Sequence, residues 1–232
     1  MDSPIRQAVI MAAGLGTRLR PLTETVPKPL LPIAGKPILE WGIDRLPDQI
    51  GEVILVVGYL QEQIRGHFGE TWHGRRIRYV EQADLKGTGN AVHCCRKVLD
   101  DRFLVMNGDD LYSTNDISEA AKCPLAILAK ETENAGRFGS LRTDGDGNLV
   151  AIEENADDRI GLVNTGLYVL SQEFFGYDLV PIKCGKEFGL PQTLAVMSKD
   201  FPVTVVRAGF WLPIGYPEDL SRATEILSET AP

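Results

Sequence analysis

Apolar runs and helical patterns alternate through the first half of the chain, and this order restricts the fold more than any other feature of the sequence. Gln7–Met11, Val53–Val57, Ile77–Glu81 and Phe103–Asn107 are short apolar runs of strand length. Between them, Ile38–Leu46, Leu60–His67 and Asn90–Leu99 carry apolar residues at helical spacing. Strand–helix–strand–helix order predicts an α/β fold, a mostly parallel sheet with helices on both faces. In such sheets ligands bind beyond the carboxyl ends of the strands. The residues just after each apolar run are therefore the first candidates for function.

After the first run comes Ala12–Pro37, AAGLGTRLRPLTETVPKPLLPIAGKP. Gly14 and Gly16 let the backbone bend and approach a ligand with no Cβ in the way, and their N–H groups are suited to cradling phosphate. Thr17 adds a hydroxyl, and Arg18 and Lys28 add fixed positive charge. Pro21, Pro27, Pro29 and Pro32 stiffen the segment around Lys28, because each fixes φ. By itself the glycine pair admits two readings, a structural turn or a phosphate site. It is not the dinucleotide fingerprint, since Leu19 stands where the third glycine is needed, and it has no Gly-Lys-Ser/Thr of the Walker type.

Two further stretches follow strand runs. Tyr79-Val80-Glu81-Gln82 leads to Gly87-Thr88-Gly89-Asn90. The Gln82 amide can accept from a pyrimidine N3–H and donate to O4, and strand alternation turns Glu81 to the other face. The same residues also suit a plain helix start with a polar surface glutamine. Phe103–Asn107 ends in Gly108-Asp109-Asp110, which reads either as a solvated acidic turn or as a Mg²⁺ site of one or two carboxylates plus phosphate oxygens. The chain then changes character. Leu125–Ala129 reads as a strand, and Asn134–Asp157, rich in Gly, Asp and Asn, reads as hairpins forming an antiparallel addition.

Gly-x-Gly-Thr-Arg-Leu, Pro-Leu-Thr, Pro-Lys-Pro-Leu-Leu-Pro-Ile and Gly-Lys-Pro together closely resemble the signature of the sugar nucleotidyltransferases, or nucleoside-diphosphate-sugar pyrophosphorylases. The resemblance runs from about Ile5 to about Leu227. It implies a Rossmann-like three-layer α/β/α nucleotidyltransferase fold in a single domain over residues 1–232. The nucleotide-binding part would extend to about 122, and an added antiparallel sugar-binding lobe would occupy about 123–232. It also implies Mg²⁺-dependent synthesis of a nucleoside-diphosphate sugar from a nucleoside triphosphate and a sugar 1-phosphate, with UTP or dTTP favoured by Gln82. On this resemblance Ala12, Ala13, Gly14, Gly16, Thr17, Arg18, Gln82, Gly87 and Thr88 bind the nucleotide. Arg18 holds the β- and γ-phosphates, Lys28 bridges the α-phosphate and the attacking phosphate, and Asp109 holds the metal. Gly139 in Phe138-Gly139-Ser140-Leu141, Glu153 in Ala151–Asn155 and Asn164 in Val163–Tyr168 contact the sugar. Each of these three also suits an ordinary hairpin position.

Two positions depart from the pattern. Many relatives have Val-Glu-Lys-Pro, whose lysine neutralises the sugar phosphate, and here that position is Glu154. The uridylyltransferase domain of the N-acetylglucosamine-1-phosphate enzymes also lacks the lysine, and it is the nearer match. In Phe210-Trp211-Leu212-Pro213-Ile214-Gly215-Tyr216-Pro217-Glu218, Pro213 stands where relatives place a second metal-binding aspartate. Pro217 followed by Glu218 and Asp219 reads as a helix start.

A net charge of −8 argues against non-specific binding of nucleic acid or anionic membrane. No apolar stretch is long enough to span a bilayer. Met1–Gln7 is too polar for a leader, and Cys94, Cys95, Cys123 and Cys184 lack metal spacing and read as reduced thiols. A cytoplasmic location is expected. His67, His73 and His93 fall outside every motif. The rival readings are a GTP-dependent mannose-1-phosphate enzyme, a CTP-dependent phosphocholine-type enzyme, and a regulatory paralogue that has lost turnover.

Overall fold

The computed structural model describes residues 4–133, 135–153 and 160–229. Among the described residues, ten strands make one sheet. They are β1 (Gln7–Met11), β2 (Glu52–Val57), β3 (Thr71–Trp72), β4 (Arg75–Glu81), β5 (Arg102–Asn107), β6 (Ala126–Thr132), β7 (Ser140–Thr143), β8 (Leu149–Glu153), β9 (Gly161–Ser171) and β10 (Thr204–Arg207). The order is β8-β7-β9-β5-β1-β2-β4-β3, and β6 pairs with both β9 and β10. The neighbours β5-β1-β2-β4 are all parallel, while β9 runs antiparallel to β5, β6 and β7. The mostly parallel sheet with added antiparallel strands agrees with the sequence reading, although β3 runs antiparallel to β4 in the first half and β10 runs parallel to β6 in the second.

The described residues form six α-helices, α1 (Ile38–Asp44), α2 (Gln61–Phe68), α3 (Gly87–Cys94), α4 (Thr114–Ala121), α5 (Leu190–Met197) and α6 (Pro217–Glu229), of which the first five pack on the sheet. Alternation along the strands builds two cores. Ala8 and Ile10 pack with Leu39 and Ile43 of α1, Ile64 and Phe68 of α2, and Ile117 of α4. Val9, one residue out of phase, packs with Ala91 and Val92 of α3 and Leu190 and Leu194 of α5. Period-2 alternation between two apolar layers is what a sheet covered on both faces requires. The helix expected at Asn90–Leu99 begins earlier, at Gly87, and stops at Cys94. The chain beyond it continues in single turns, with Cys95 N bonded to Val92 O and Val98 N to Cys95 O.

Strand β9 joins the two halves. Its second half pairs with β5, from Leu167↔Met106 to Ser171↔Arg102, and its first half meets β7 at Val163↔Ser140. Its register against β6 shifts between Asn164 and Tyr168. Gly166 sits in that bulge at φ +83°, with the Asn107 side chain where a Cβ would point, so only glycine lets β5 and β9 close there.

A third core lies under the proline-stiffened loop. Leu19, Leu31, Ile33 and Ile38 pack with Leu111, Leu212, Ile214, Ala223 and Leu227. The loop is thus a buried-side element, fastened to α6 and to a two-stranded ribbon, Asp110–Tyr112 paired with Trp211–Pro213.

Candidate active site

The carboxyl ends of four parallel strands are level with one another. Met11 pairs with Val56 and Asn107, and Val57 with Glu81. Backbone bonds stitch the segments that leave them. Ala12 N donates to Val56 O, Gly108 N to Met11 O, Gln82 N to Val57 O and Tyr59 N to Ala13 O, all at 2.8–3.2 Å. Gly108 is required here, because a Cβ would stand 2.7 Å from Met11 O.

A cavity of about 760 Å³ opens over these ends. Of the residues singled out from sequence, Ala12, Ala13, Gly14, Gly16, Thr17, Arg18, Lys28, Gln82, Gly87, Thr88 and Asp109 all line it. Gly16 makes the loop compact. Its φ is +62°, and a Cβ would meet Thr23 Cγ2 at 2.9 Å and Lys28 Cβ at 3.1 Å. Its carbonyl accepts from Thr23 Oγ1 at 2.8 Å and from Leu19 N at 2.9 Å. The loop is therefore folded back on the lysine segment, and Thr17 and Arg18 start a short 3₁₀ turn facing the cavity.

Lys28 Nζ lies 2.5 Å from Asp109 Oδ2, with the lysine side chain mostly buried and the carboxylate 37 % exposed. The cavity thus has a charge pair at its floor, drawn from residues 81 apart in sequence. Asp110 points elsewhere, as strand alternation demands. It is buried, accepts from Asn107 Nδ2 at 3.0 Å, and lies opposite Pro213 in the ribbon. Burial and the neighbouring Asp109 charge push its carboxyl up to about 7, partly offset by Asn107 and Lys28. Among the described residues no cluster of three His, Cys, Asp or Glu side chains is placed to enclose a metal. Asp109 fits a hard cation that takes one carboxylate and fills its remaining positions with phosphate oxygens and water.

Gln82 is buried, while Glu81 is exposed. Its Nε2 donates to Gly87 O and to Asn90 Oδ1, both at 3.0 Å. Both amide hydrogens are used inside the protein, so the side chain offers only Oε1, rather than the donor–acceptor pair read from sequence. The Thr88 hydroxyl accepts from Leu190 N at 3.0 Å. It therefore ties α3 to α5 as well as edging the cavity. Gly87, at φ +87°, abuts the strand Glu187–Gly189, and a Cβ would stand 2.5 Å from Phe188 O.

Gly139, Glu153 and Asn164 do not line this cavity. They lie on neighbouring chains of the antiparallel lobe, where Asn164 N donates to Gly139 O at 2.8 Å and Glu153 pairs with Ser140. The Asn164 side chain is engaged locally, donating to Tyr168 OH and accepting from Gly166 N. Glu154 lies outside the described residues. His67 and His73 pair with Glu40 and Asp44, and His93 packs on Phe174 and Phe175. The sequence reading missed the hairpin of Val180–Ile182 and Glu187–Gly189, which brings Ile182, Lys183 and Glu187 to the cavity wall. Its signal was present in two short runs around the Cys184-Gly185-Lys186 turn, but a pair of three-residue strands has little periodicity to detect.

The fold and its cavity define an α/β protein with a polar, glycine-lined cleft over the carboxyl ends of a parallel sheet. The chain belongs to the nucleotidyl transferase family, whose sequence model matches residues 7–230. It is 34 % identical to the bifunctional protein GlmU of Methanocaldococcus jannaschii over 95 % of its length and 54 % of the relative's. It therefore spans about half of that protein. It is 33 % identical to UTP–glucose-1-phosphate uridylyltransferase AglF of Haloferax volcanii, covering 96 % of this chain and 97 % of that one. A D-glycero-α-D-manno-heptose 1-phosphate guanylyltransferase of Campylobacter jejuni is 30 % identical, with 92 % and 96 % covered. The crystal structure of a UDP-glucose pyrophosphorylase complexed with UDP-glucose superposes with a TM-score of 0.86, at 21 % identity, over 98 % of this chain and all of that one. Among the described residues, no helix is long and apolar enough to cross a membrane.

Proposed function

We propose that the chain transfers a nucleotidyl group from a nucleoside triphosphate to a sugar 1-phosphate, releasing pyrophosphate, with UTP or dTTP as the preferred donor. The observation that carries this reading is the joining of the Gly14–Arg18 loop, Lys28 and Asp109 in one cavity. A phosphate oxygen of the sugar 1-phosphate attacks the α-phosphorus in line. The bond to the bridging oxygen breaks, and the electron pair leaves with pyrophosphate. The attacking oxygen is already ionised near neutral pH, so positioning and charge neutralisation suffice.

In this reading the loop N–H groups and Arg18 hold the β- and γ-phosphates, and Lys28 lies against the α-phosphate and the attacking phosphate. Asp109 would hold Mg²⁺, which when bound would add to the neutralisation of the phosphates. Gln82 Oε1 accepts from a ring N–H of the base. Uracil and thymine offer N3–H; cytosine has an unprotonated N3 there and is disfavoured. Gly139, Glu153 and Asn164 form the sugar side. The proposed location is the cytoplasm.

The test is pyrophosphate release with Mg²⁺ for UTP, dTTP, GTP, CTP and ATP against a panel of sugar 1-phosphates. Lys28→Ala is expected to lower kcat by about 10²- to 10³-fold. Turnover confined to GTP, CTP or ATP would refute the preference for UTP or dTTP. Pro213 opposite Asp110 favours a second reading, a regulatory paralogue. Nucleotide binding with no turnover for any pair would support it.

A further inference from the structure

Arg137 precedes the Phe138-Gly139 segment of the lobe, yet its guanidinium is held at the loop that closes the cavity. Its carbon lies 4.6 Å from the centre of the Tyr216 ring, and Arg18 lies 5.3 Å from the same ring. Asp219, buried at the start of α6, fixes this arrangement. Its Oδ2 accepts from Gly215 N and Tyr216 N, both at 2.9 Å, and from Arg137 Nη2 at 3.4 Å. Gly215 itself lines the cavity. One buried carboxylate therefore sets both the turn carrying Tyr216 and the guanidinium beside it.

Among the described residues Arg18, on the same ring, lines the cavity without an ion pair, whereas the two lysines that line it are paired. Lys28 is paired with Asp109, and Lys183 with Glu187 at 2.8 Å. Arg137 gives one of its five N–H donors to Asp219, and 39 % of its side chain is exposed. It shares the Tyr216 ring with Arg18 on the nucleotide side and precedes by two residues Gly139, whose carbonyl is bonded to Asn164 on the sugar side; it borders the cavity through Gly215 and Arg18 rather than lining it. In the transferase reading the phosphate of a sugar 1-phosphate lies between these two sides, joined to the sugar at one end and facing the α-phosphorus at the other. A planar guanidinium braced on an aromatic ring is well suited to gripping a phosphate through two parallel hydrogen bonds.

We propose that Arg137 binds the phosphate of the sugar 1-phosphate, with Tyr216 and Asp219 holding it beside Arg18. This inference rests on the transferase reading above. It adds a determinant that selects phosphorylated over free sugar, and it lies outside the loop, Lys28 and Asp109.

The experiment compares wild type, Arg137→Ala and Arg137→Lys. It measures KM for the sugar 1-phosphate, Kd for UTP by titration, and Kd for glucose 1-phosphate by calorimetry with UTP present and Mg²⁺ withheld, against free glucose as control. Arg137→Ala is expected to raise KM for the sugar phosphate about 10- to 100-fold and to leave the UTP Kd within about twofold. Arg137→Lys is expected to recover part of the loss, because it restores charge without the fork. An unchanged KM in Arg137→Ala, or an equal loss of UTP and sugar-phosphate affinity, would overturn the proposal and leave Arg137 as a brace for Asp219. If wild type turns over no pair yet binds glucose 1-phosphate through Arg137, the transferase reading fails and this one stands. If wild type binds no glucose 1-phosphate and turns over no sugar phosphate, both fail.

Discussion

At the scale of single residues, the cavity is governed by which hydrogen-bonding atoms are already committed. Gln82 commits its whole NH₂ group to Gly87 O and Asn90 Oδ1. Gln82→Glu keeps the shape and removes both donors. The Asn90 amide can turn over to donate, but the Gly87 carbonyl cannot, and it would face a carboxylate. An unmet buried acceptor costs about 1–3 kcal/mol. We therefore expect Gln82→Glu to lower stability by about 1–3 kcal/mol; the carboxylate still accepts from uracil N3–H but matches guanine N1–H and N2–H better, which shifts the preference toward GTP. Denaturant unfolding and titration with both nucleotides check this, and an unchanged midpoint with an unchanged UTP-to-GTP affinity ratio would refute it.

The four thiols form a second test at this scale. Cys184 and Cys94 are exposed, and Cys95 is buried, its thiol pushed up to about 12 by burial. At pH 8 a maleimide should label Cys184 and Cys94 in the native protein and leave Cys95 untouched until unfolding, as read by peptide mass spectrometry. A folded value above the unfolded one means that the folded chain keeps this proton while the unfolded chain loses it. Stability from Cys95 is thus intact below about pH 9 and lost as pH rises toward 12. Cys95→Ala should flatten that alkaline slope relative to wild type in denaturant midpoints.

At the scale of elements, α3 and the 180–189 hairpin behave as one unit, because Gly87 and Gly89 press on the backbone of Phe188 and Gly189. Gly87→Ala adds a Cβ 2.5 Å from a carbonyl oxygen at a residue with positive φ. Neither the strand nor the helix start can yield cheaply, so we expect about 2–4 kcal/mol of destabilisation and weaker nucleotide binding. A change under about 0.5 kcal/mol in denaturant unfolding would contradict this packing.

The elements also explain what was readable from sequence. β1, β2 and β5 were legible because each is an apolar run and β4 because Ile77 and Tyr79 alternate with arginines, and the loop was legible because glycines, prolines and cations crowd into 26 residues between Ala12 and Pro37. The Asp110–Tyr112 ribbon with Trp211–Pro213, the hairpin and the placing of Arg137 were not. Each depends on pairing between three-residue segments or on one buried carboxylate, and such contacts are set by the closed fold rather than by any local period. The commitment of the Gln82 amide was likewise hidden, although Gly87 and Asn90 were in view, because a sequence does not say which way an amide turns.

At the scale of the whole molecule, β9 is the shared strand. Its Leu167–Ser171 half belongs to the sheet under the nucleotide cavity, its Gly161–Asn164 half belongs to the lobe with β7 and β6, and the Gly166 bulge lies between them. A ligand confined to the cavity touches the Gly14–Arg18 loop, the start of α3 and the hairpin, all on the parallel side. In the proposed assignment a ligand that also carries a sugar reaches across the bulge to Gly139, Glu153 and Asn164. The two ligands should therefore leave different footprints in amide exchange, which reports local opening. UTP alone is expected to slow exchange in residues 14–19, 87–91 and 182–188 and to leave 140–153 near its free rate. UDP-glucose is expected to slow the first three and also 139–143 and 163–166. If UTP protects β7 and β8 as strongly as UDP-glucose does, the two halves close as one body on the nucleotide, and assigning the sugar to the lobe loses its support. If UDP-glucose adds nothing beyond UTP, the sugar lies elsewhere, and Gly139, Glu153 and Asn164 are hairpin residues only.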